Sequence, residues 1–364
     1  MPERVILIAE DDKDAIASWE RDLREFNRED GHAIRLFPEF AQSKRAAIRL
    51  LDRTRINCAV VDLRLPDDDG ATGQTEPVGN EILERLLLEI GVPAVVYSGY
   101  TQEASDLVRA SQIKIVDKKG GGAMEVLEWL ASHEGLMSAM EIARKSIDRE
   151  TARLFTQSIW PRWKDVWKDV DNGDALAGVI TRQTAAHIAE HLGMPPNYHH
   201  PEEFYLVPPL ATDKLGTGDL VTFENQVYVV VTPRCNMARD QYPTHVMLAL
   251  CKNMEAVWTS IRNRFRGDDK KQESAAKELH GYATQGHSTS SHFLPPCGDR
   301  GPWLVDFREI ITVPSANVKD LLKTRFASLA SQFVPNLVQR YAAYLGRIGQ
   351  PDLDGDALRS LICK

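Results

Sequence analysis

The first 135 residues predict a doubly wound α/β fold built on a five-stranded parallel sheet. Apolar runs of strand length alternate with amphipathic helical segments, and the connections between them are short. The strand-like runs are apolar almost throughout, which is typical of parallel strands that are covered by helices on both faces. The sequence therefore predicts one α/β domain over residues 1–135.

The sequence predicts five strands and five helices that alternate along the chain. The predicted strands are RVILIAE, HAIRLFPEF, NCAVVDL, PAVVYSG and IKIVDK. The predicted helices are DAIASWERDLREFNRED, SKRAAIRLLDRT, NEILERLLLEIG, EASDLVRASQ and AMEVLEWLASH. The third helix is expected to begin at about Asn80, because an asparagine side chain can cap the first helical turn. This arrangement gives one helix after each strand, as a parallel sheet requires.

The composition is that of a globular protein. Of its 364 residues, 43% are hydrophobic and 26% are charged. No apolar run reaches the roughly 20 residues that span a bilayer, so we expect no membrane segment. The start, MPERVILIAEDDKD, has a short apolar run followed directly by acids, which favours a first strand over a signal peptide. The sequence therefore predicts a cytoplasmic protein.

Charge and cysteine usage exclude some further classes. The net charge of −8 argues against broad non-specific binding of nucleic acid, which needs many contacts from Lys or Arg to phosphates. The five cysteines are scattered and form no CxxC pair. Neither a disulfide framework nor a zinc knuckle is therefore expected.

Polar side chains follow the predicted strands at one edge of the sheet. The first strand ends in Glu10, Asp11 and Asp12, and the third, fourth and fifth end in Asp62, Ser98 and Lys118. Open parallel sheets bind ligands at the carboxyl ends of their strands, where these side chains would converge. Clustered carboxylates suit Mg²⁺, and a lysine can pair with a carboxylate or with an added phosphoryl group. The pattern predicts phosphorylation of a carboxylate, with the metal neutralising the developing charge.

Residues 1–135 resemble the receiver domain of bacterial two-component response regulators. The stretches that carry the resemblance are ILIAEDD, AVVDLRLPDDDG, VVYSGY and IVDKK. The resemblance implies that Asp62 is the phosphoacceptor and that Glu10 and Asp11 bind Mg²⁺ with Asp62. It also implies that Arg64 offers its backbone carbonyl to the metal. Ser98 would be the switch hydroxyl, and Lys118 would sense the phosphoryl group.

Two features depart from the family pattern. Ile115 stands three positions before Lys118, where an aromatic switch residue is common, so Tyr100 is the nearest aromatic that could supply the missing bulk. The loop over residues 67–79 is long and begins with three aspartates, Asp67, Asp68 and Asp69. We expect these aspartates to form a solvated acidic turn, and a role in metal or kinase contact is the alternative. A receiver-like domain that is not phosphorylated is also an alternative for residues 1–135.

Residues 136–200 predict a helical linker region. Trp160, Trp163 and Trp167 recur at helical spacing and form one face, which would dock inside the chain or form a partner or dimer surface. Within residues 176–200, the stretch TRQTAAHIAEHLGM resembles the first helix and turn of a helix-turn-helix. Two prolines follow, and the sequence after them offers no basic second helix for a major groove. DNA binding through this segment is therefore the less favoured interpretation.

Residues 201–364 predict an α+β output domain of no family that we can name. Strand patterns interrupted by a helical stretch indicate a small, strongly bent β-sheet or a half-closed barrel. The chain is expected to end helically, from the stretch SANVKDLLKTRFASLASQFVPNLVQRYAAYLGRIG onward.

Three candidate sites in this region remain open as hypotheses. Cys235 could form a nucleophilic pair with His287 or His292, although a lone cysteine is usually an apolar filler. A metal site is conceivable at four neighbouring side chains, His199, His200, Glu202 and Glu203, although their spacing matches no closed site. The basic run 261–271 could contact an anion or nucleic acid through Arg262, Arg264, Arg266, Lys270 and Lys271.

The functional hypothesis is a response regulator whose Asp62 is phosphorylated by a histidine kinase in the presence of Mg²⁺. Its output region would act mainly through an effector protein. A homodimer could form through the predicted fourth helix, fifth strand and fifth helix, or through the linker tryptophans. The alternatives are a DNA-binding regulator, through residues 176–200 or 261–271, and a phosphorylation-controlled enzyme that uses Cys235.

Overall fold

The computed structural model divides the chain into two units, Met1–Met194 and Pro195–Lys364. It describes residues 1–29, 31–69, 76–111, 113–120, 122–167, 173–194, 198–210, 213–239, 241–347 and 352–363. The predicted linker 136–200 lies mainly in the first unit, because the helices up to residue 192 cluster with the preceding sheet.

The first unit begins with five parallel strands in the order β2-β1-β3-β4-β5, which confirms the predicted fold of residues 1–135. The strands are β1 (Glu3–Ala9), β2 (Arg35–Ala41), β3 (Cys58–Val61), β4 (Ala94–Ser98) and β5 (Lys114–Asp117). The helices between and after them are α1 (Lys13–Arg28), α2 (Lys44–Arg53), α3 (Gly79–Arg85), α4 (Asp106–Ala110) and α5 (Ala123–Ser132). A wide, π-helical turn over Leu86–Ile90 continues α3.

Side-chain alternation along the strands builds a separate core on each face of this sheet. Leu7 and Ala9 of β1 face α2, α3 and α4, whereas Ile6 and Ile8 face α1 and α5. On α1 the buried residues are Trp19, Leu23 and Phe26, which form the apolar face of this amphipathic helix. Because both faces are covered, the strand ends are left as the place where polar groups can meet.

Three further helices complete the first unit. They are α6 (Glu134–Leu154), α7 (Trp160–Arg162) and α8 (Gly173–Leu192), with π-helical turns over Phe155–Ile159 and Trp163–Trp167. Arg4 at the start of β1 donates to Glu134 at 2.9 and 2.6 Å and pairs with Glu141, which ties α6 to the sheet. Trp160 and Trp163 are 65% and 39% exposed, so they form an outward surface, and the side chain of Trp167 lies outside the described part.

The second unit is built on a seven-stranded antiparallel sheet in the order β10-β11-β9-β8-β7-β12-β6. The strands are β6 (Tyr205–Leu206), β7 (Asp219–Phe223), β8 (Gln226–Val230), β9 (His245–Asn253), β10 (Ser291–Leu294), β11 (Trp303–Pro314) and β12 (Arg325–Leu329). The helices are α9 (Arg234–Met237), α10 (Glu255–Phe265), α11 (Asp269–Ala283), α12 (Val318–Lys323), α13 (Val334–Leu345) and α14 (Gly355–Ile362).

This sheet is bent toward closure, in agreement with the predicted bent sheet or half-closed barrel. The hydroxyl of Tyr205, on one edge strand, donates to the carbonyl of Pro295, just after the other edge strand, at 2.7 Å. Glu224 and Asn225 make the turn of the β7–β8 hairpin with positive φ angles of 48° and 62°, as two-residue hairpin turns require. Leu337 and Tyr341 of α13 pack onto one face, and Val318 and Leu321 of α12 pack onto the other.

The expected helical C-terminal segment is partly wrong, because β12 lies inside it. Asp219 of β7 is almost fully buried and accepts hydrogen bonds from Arg325 at 3.2 Å and from the Ser328 hydroxyl at 2.5 Å. Pairing with β7 and satisfaction of this buried carboxylate therefore outweigh the helical propensity of the segment.

His292 of β10 is expected to make the second unit sensitive to acid. Its side chain is 1% exposed, and neither ring nitrogen has a hydrogen-bond partner among the described residues. Burial, together with the charge of Arg340 and the neighbouring His287, lowers the pKa of His292 to about 3. The unfolded chain takes up this proton near pH 6.5, so the free energy of unfolding should fall by about 1.4 kcal/mol per pH unit below that value.

Urea unfolding of His292→Leu and wild type between pH 7 and pH 4.5 would test this. The variant should be more stable than wild type by about 1 kcal/mol at pH 7, because no unpaired polar ring is buried, and its pH slope should be shallower. The exposed His245→Leu of the same sheet serves as the control and should keep the wild-type slope. A His292→Leu protein with an unchanged slope would contradict the assignment.

Candidate functional site

The carboxyl ends of four parallel strands bring the predicted side chains to one edge of the sheet. Glu10 follows β1, Asp62 follows β3, Ser98 ends β4 and Lys118 follows β5. Glu10 is 2% exposed and Asp62 is 8% exposed, while Ser98 is fully buried. Buried carboxylates at the end of an apolar sheet need a partner, since an isolated buried charge is costly.

Lys118 provides that partner. Its ammonium group donates to Oε2 of Glu10 and to Oδ2 of Asp62, each at 2.6 Å. The backbone N–H of Lys118 donates to the carbonyl of Ser98 at 3.2 Å, which fixes the end of β5 beside β4. The ammonium group of Lys118 thus lies between the carboxylates that follow β1 and β3.

Burial sets the electrostatics of the acids. Burial raises the pKa of Glu10, although the hydrogen bond from Lys118 acts against this shift. Burial also raises the pKa of Asp11. For Lys118, burial acts to lower the pKa, but the hydrogen bonds to Asp62 and Glu10 outweigh it, so that the pKa lies above its usual value. The site therefore favours a charged Lys118 and disfavours the charged forms of Glu10 and Asp11.

Glu10, Asp11 and Asp62 form a cluster that fits a small divalent cation. One carboxylate oxygen from each residue lies within 4.8 Å of the other two. Oxygen ligands of this kind are those that Mg²⁺ prefers, and three negative charges face the single positive charge of Lys118. A divalent ion would reduce this excess of negative charge. Asp12 does not join the cluster, because its side chain caps α1 by accepting from the N–H groups of Asp14 and Ala15.

The side chain of Arg64 points away from the acid cluster. Its backbone N–H donates to Oδ1 of Asp62 at 3.2 Å. Its guanidinium group makes two hydrogen bonds to Glu103, one of 2.9 Å, and lies 3.8 Å from the ring centroid of Tyr100. The metal-binding role of its carbonyl stays a prediction. The contact with Glu103 was not foreseen, because nothing in the sequence links the two positions.

Ser98 and Ile115 define the part of the site next to β5. The Ser98 hydroxyl oxygen accepts from the N–H of Tyr100 at 3.2 Å. Ile115 is half-buried and packs with the core cluster on the α2–α4 face of the sheet. The ring of Tyr97 lies close to Lys118, with its centroid 5.9 Å from the lysine nitrogen, and it makes a T-shaped contact with the ring of Trp19. Tyr100 is 44% exposed and stacks with Arg64, and its role in place of an aromatic switch on β5 stays a prediction.

Gly79 closes the long loop directly against the end of β3. Its N–H donates to the carbonyl of Leu63 at 2.9 Å, and a Cβ atom there would lie 2.1 Å from the backbone oxygen of Asp62. Only glycine fits this close approach. The helix therefore begins one residue before Asn80, and Asn80 is not its cap. Its side chain instead donates to the carbonyl of Glu103 at 3.0 Å and accepts from Ser105 at 2.8 Å.

The three aspartates of the loop are 47–63% exposed, as a solvated acidic turn predicts, and in addition they pair with residues of α2. Asp67 pairs with Lys44, Asp68 with Arg45 at 2.7 Å, and Asp69 with Arg49 and the Ser43 hydroxyl. The N–H groups of Lys44 and Arg45 donate to backbone carbonyls of the same loop. The loop thus caps α2, and residues 70–75 of the predicted loop lie outside the described part.

The structure does not bring Cys235 and the two histidines together. Cys235 is exposed in α9, which follows β8, whereas His292 lies on β10, and β9 and β11 separate these two strands. Within the described part of the chain no hydrogen bond joins Cys235 to His287, whose ring contacts Ser291 at 3.1 Å. The hypothesis of a nucleophilic Cys–His pair therefore has no structural support.

The other candidate groups have local structural roles. His199 pairs with Glu203 at 2.6 Å, and His200 and Glu203 form a capping box on a short 3₁₀ turn. Among the described residues, these four side chains form no group that could hold a metal ion. In the basic run, Arg264 pairs with Glu278 and Lys271 with Asp268.

Residues 176–200 do not show a helix-turn-helix in the described part of the chain. Residues 173–192 form one continuous helix, and the described residues 198–204 after it contain only the 3₁₀ turn Pro201–Phe204. The two prolines of this segment lie outside the described residues. Among the helices that the structure describes, none is long and apolar enough to cross a membrane.

Comparison with solved structures consistently finds receiver domains. A CheY-like receiver domain from Methylobacillus flagellatus is 16% identical, covers 37% of this chain and 97% of its own, and has a TM-score of 0.26. The response regulator TrrA from Thermotoga maritima, solved in complex with Mg²⁺-BeF, is 16% identical over 35% of this chain and 97% of its own, with a TM-score of 0.28.

A third similar structure is the receiver domain of a sensor histidine kinase from Pseudomonas aeruginosa, with a magnesium ion in its active-site cleft. It is 18% identical, covers 35% of this chain and 94% of its own, and has a TM-score of 0.27. No family model and no curated protein matches the chain. Identities this low carry no residue's role over to this chain, so the chemistry of the site rests on its own geometry.

Proposed function

We propose that residues 1–135 form a receiver domain in which Asp62 accepts a phosphoryl group from a histidine kinase. The observation that supports this most is the position of Lys118, which donates to both Glu10 and Asp62 at 2.6 Å beside a third carboxylate, Asp11. A buried acid held at the end of a strand by one cation, beside two further carboxylates that can bind a metal, is equipped to act as a nucleophile.

Each residue of the site has a role in this proposal. A carboxylate oxygen of Asp62 would form a bond to phosphorus, while the bond from phosphorus to the kinase histidine breaks and its electron pair stays on the imidazole. Glu10, Asp11 and Asp62 would hold Mg²⁺, which when bound supplies positive charge against the phosphoryl oxygens. Lys118 would then contact the phosphoryl group, and the hydroxyl of Ser98 would donate a hydrogen bond to it.

The proposed division is a receiver domain over 1–135, a helical linker region over 136–200 and an α+β output domain over 201–364. Only His133 separates α5 from α6, and Arg4 ties α6 to β1, so a change at the α4–β5–α5 surface can be passed to the linker. The exposed Trp160 and Trp163 offer an apolar surface for an effector protein or a second copy of the chain.

Phosphorylation by a small phosphodonor tests the proposal. The full chain incubated with acetyl phosphate and Mg²⁺ should gain one acid-stable, base-labile phosphoryl group by intact mass. Asp62→Asn should gain none, because an amide oxygen is a poor nucleophile at this position. Asp67→Asn, in the acidic loop, is the control and should be labelled like wild type. Equal labelling of Asp62→Asn and wild type would contradict the assignment of Asp62.

A further inference from the structure

We propose that Arg64, Glu103 and Tyr100, here called the Arg64 cluster, hold the segment after β4 in its resting position. The cluster thereby sets how readily Ser98 moves toward a phosphorylated Asp62. This inference rests on the proposed function, and it assigns Arg64 a positioning role through its side chain, separate from any metal contact of its carbonyl.

The side chain of Arg64 fixes two residues of this segment at once. Two of its nitrogens donate to the two carboxylate oxygens of Glu103, which is the planar, two-bond geometry that favours arginine over lysine. The same guanidinium group lies 3.8 Å from the centroid of Tyr100. Glu103 ends the 3₁₀ turn Thr101–Glu103, so both contacts fall on the residues that directly follow β4.

The cluster is connected at one end to the phosphoacceptor and at the other to the switch hydroxyl. The N–H of Arg64 donates to Oδ1 of Asp62 at 3.2 Å. The N–H of Tyr100 donates to the hydroxyl oxygen of Ser98 at 3.2 Å. A movement of Ser98 toward Asp62 therefore displaces Tyr100 from Arg64, or takes Arg64 away from Glu103.

Side chains of α3 and α4 also contact the segment that follows β4. Asn80 of α3 donates to the carbonyl of Glu103 and accepts from the N–H of Ser105, which caps α4. Arg109 donates to the carbonyls of Ala104 and Thr101, each at 3.0 Å. The side chains of Asn80 and Arg109 thus hold the backbone of segment 99–105 against α3 and α4, and the side chain of Arg64 holds the segment against the loop that follows Asp62.

Phosphorylation changes the charge that Arg64 experiences. An aspartyl phosphate carries about −2 charge where the carboxylate of Asp62 carried −1, against the single charge of Glu103. The guanidinium group of Arg64 is then drawn toward the phosphoryl group, which weakens its contacts with Glu103 and Tyr100. Ile115 stands where an aromatic residue is common on β5. Release of Tyr100 by Arg64 would therefore link the charge of the phosphoryl group on Asp62 to the position of segment 99–105 without that aromatic residue.

Hydrogen exchange of the unphosphorylated full chain tests the cluster. Arg64→Ala and Glu103→Gln each remove one partner of a partly buried ion pair, so the amides of residues 98–105 should exchange about 2- to 10-fold faster than in wild type. Arg85→Ala is the matched control, since Arg85 on α3 is likewise an ion-paired arginine, with Asp52 and Glu89 as partners, and its side chain is 27% exposed against 33% for Arg64. It should leave residues 98–105 unchanged.

A second readout separates positioning from a merely structural role. The half-life of phosphorylated Glu103→Gln should differ from that of wild type by about 2- to 10-fold, with its melting temperature unchanged, because only the loop equilibrium is altered. Wild-type exchange rates at residues 98–105 in both Arg64→Ala and Glu103→Gln would overturn the inference, as would an equal increase in Arg85→Ala. Failure of wild type to be phosphorylated would instead overturn the proposed function, so the two failures are distinguishable.

Discussion

Replacing Lys118 by methionine is expected to destabilise the protein by about 3 kcal/mol at neutral pH. The substitution keeps the length of the side chain but removes the cation that donates to Glu10 and Asp62. Breaking a buried pair from one side leaves uncompensated charge, which costs roughly 3–5 kcal/mol. The partly exposed lysine, with 26% of its side chain accessible, places the expected value at the lower end. Urea unfolding at pH 7 measures this loss.

Two further variants make this result specific. Lys114→Met on the same strand removes an exposed pair with Glu125 and should cost about 0.5 kcal/mol. Adding Glu10→Gln to Lys118→Met should restore at least half of the lost stability, because one of the unpaired buried charges is then removed. If Lys118→Met were no less stable than Lys114→Met, Lys118 would not be the partner that these carboxylates need.

The second large effect is expected for Mg²⁺ binding. The double variant Glu10→Gln, Asp11→Asn removes two of the three carboxylates of the cluster and should bind no Mg²⁺ in a calorimetric titration of the full chain. Wild type should gain about 2.7 kcal/mol of stability when Mg²⁺ is present at 100 times its Kd, and the double variant should gain none. Without Mg²⁺ the double variant should be at least as stable as wild type, since burial already disfavours the charged forms of both acids.

The matched control is Asp67→Asn with Asp68→Asn, which removes the same number of carboxylates from the nearby loop. These two side chains pair with Lys44 and Arg45 and lie outside the acid cluster. The control should bind Mg²⁺ like wild type. Normal Mg²⁺ binding by Glu10→Gln, Asp11→Asn, or its loss in the control, would place the metal site elsewhere.

The fold of the first unit and the acid cluster could be predicted because both depend on local patterns. Apolar strands that end in polar residues determine where Glu10, Asp62, Ser98 and Lys118 meet, once the strands are known to be parallel. The roles of Gly79 and Glu103 could not be predicted, since they depend on where a long loop returns and on a contact between two separate loops. The same holds for the aspartates of residues 67–69, whose cations come from α2.

In the second unit, strand order limited what could be predicted. The β7–β8 hairpin is evident from its alternation and turn, whereas β12 is short and depends on Asp219 of a strand far away in sequence. The proximity of Cys235 to His287 and His292 was assumed from neighbouring strand patterns. The actual order places β9 and β11 between them, and only tertiary pairing sets this order.

Direct identification of the phosphorylated residue tests the central claim most sharply. Borohydride reduces an aspartyl phosphate to homoserine, so the full chain treated with acetyl phosphate and Mg²⁺, then reduced and digested, carries a permanent mark that peptide mass spectrometry can locate. We expect homoserine at residue 62 and nowhere else, and no mark when Mg²⁺ is removed by a chelator. A mark at Asp11 or at any other residue in place of Asp62, or no Mg²⁺-dependent mark at all, would contradict the account.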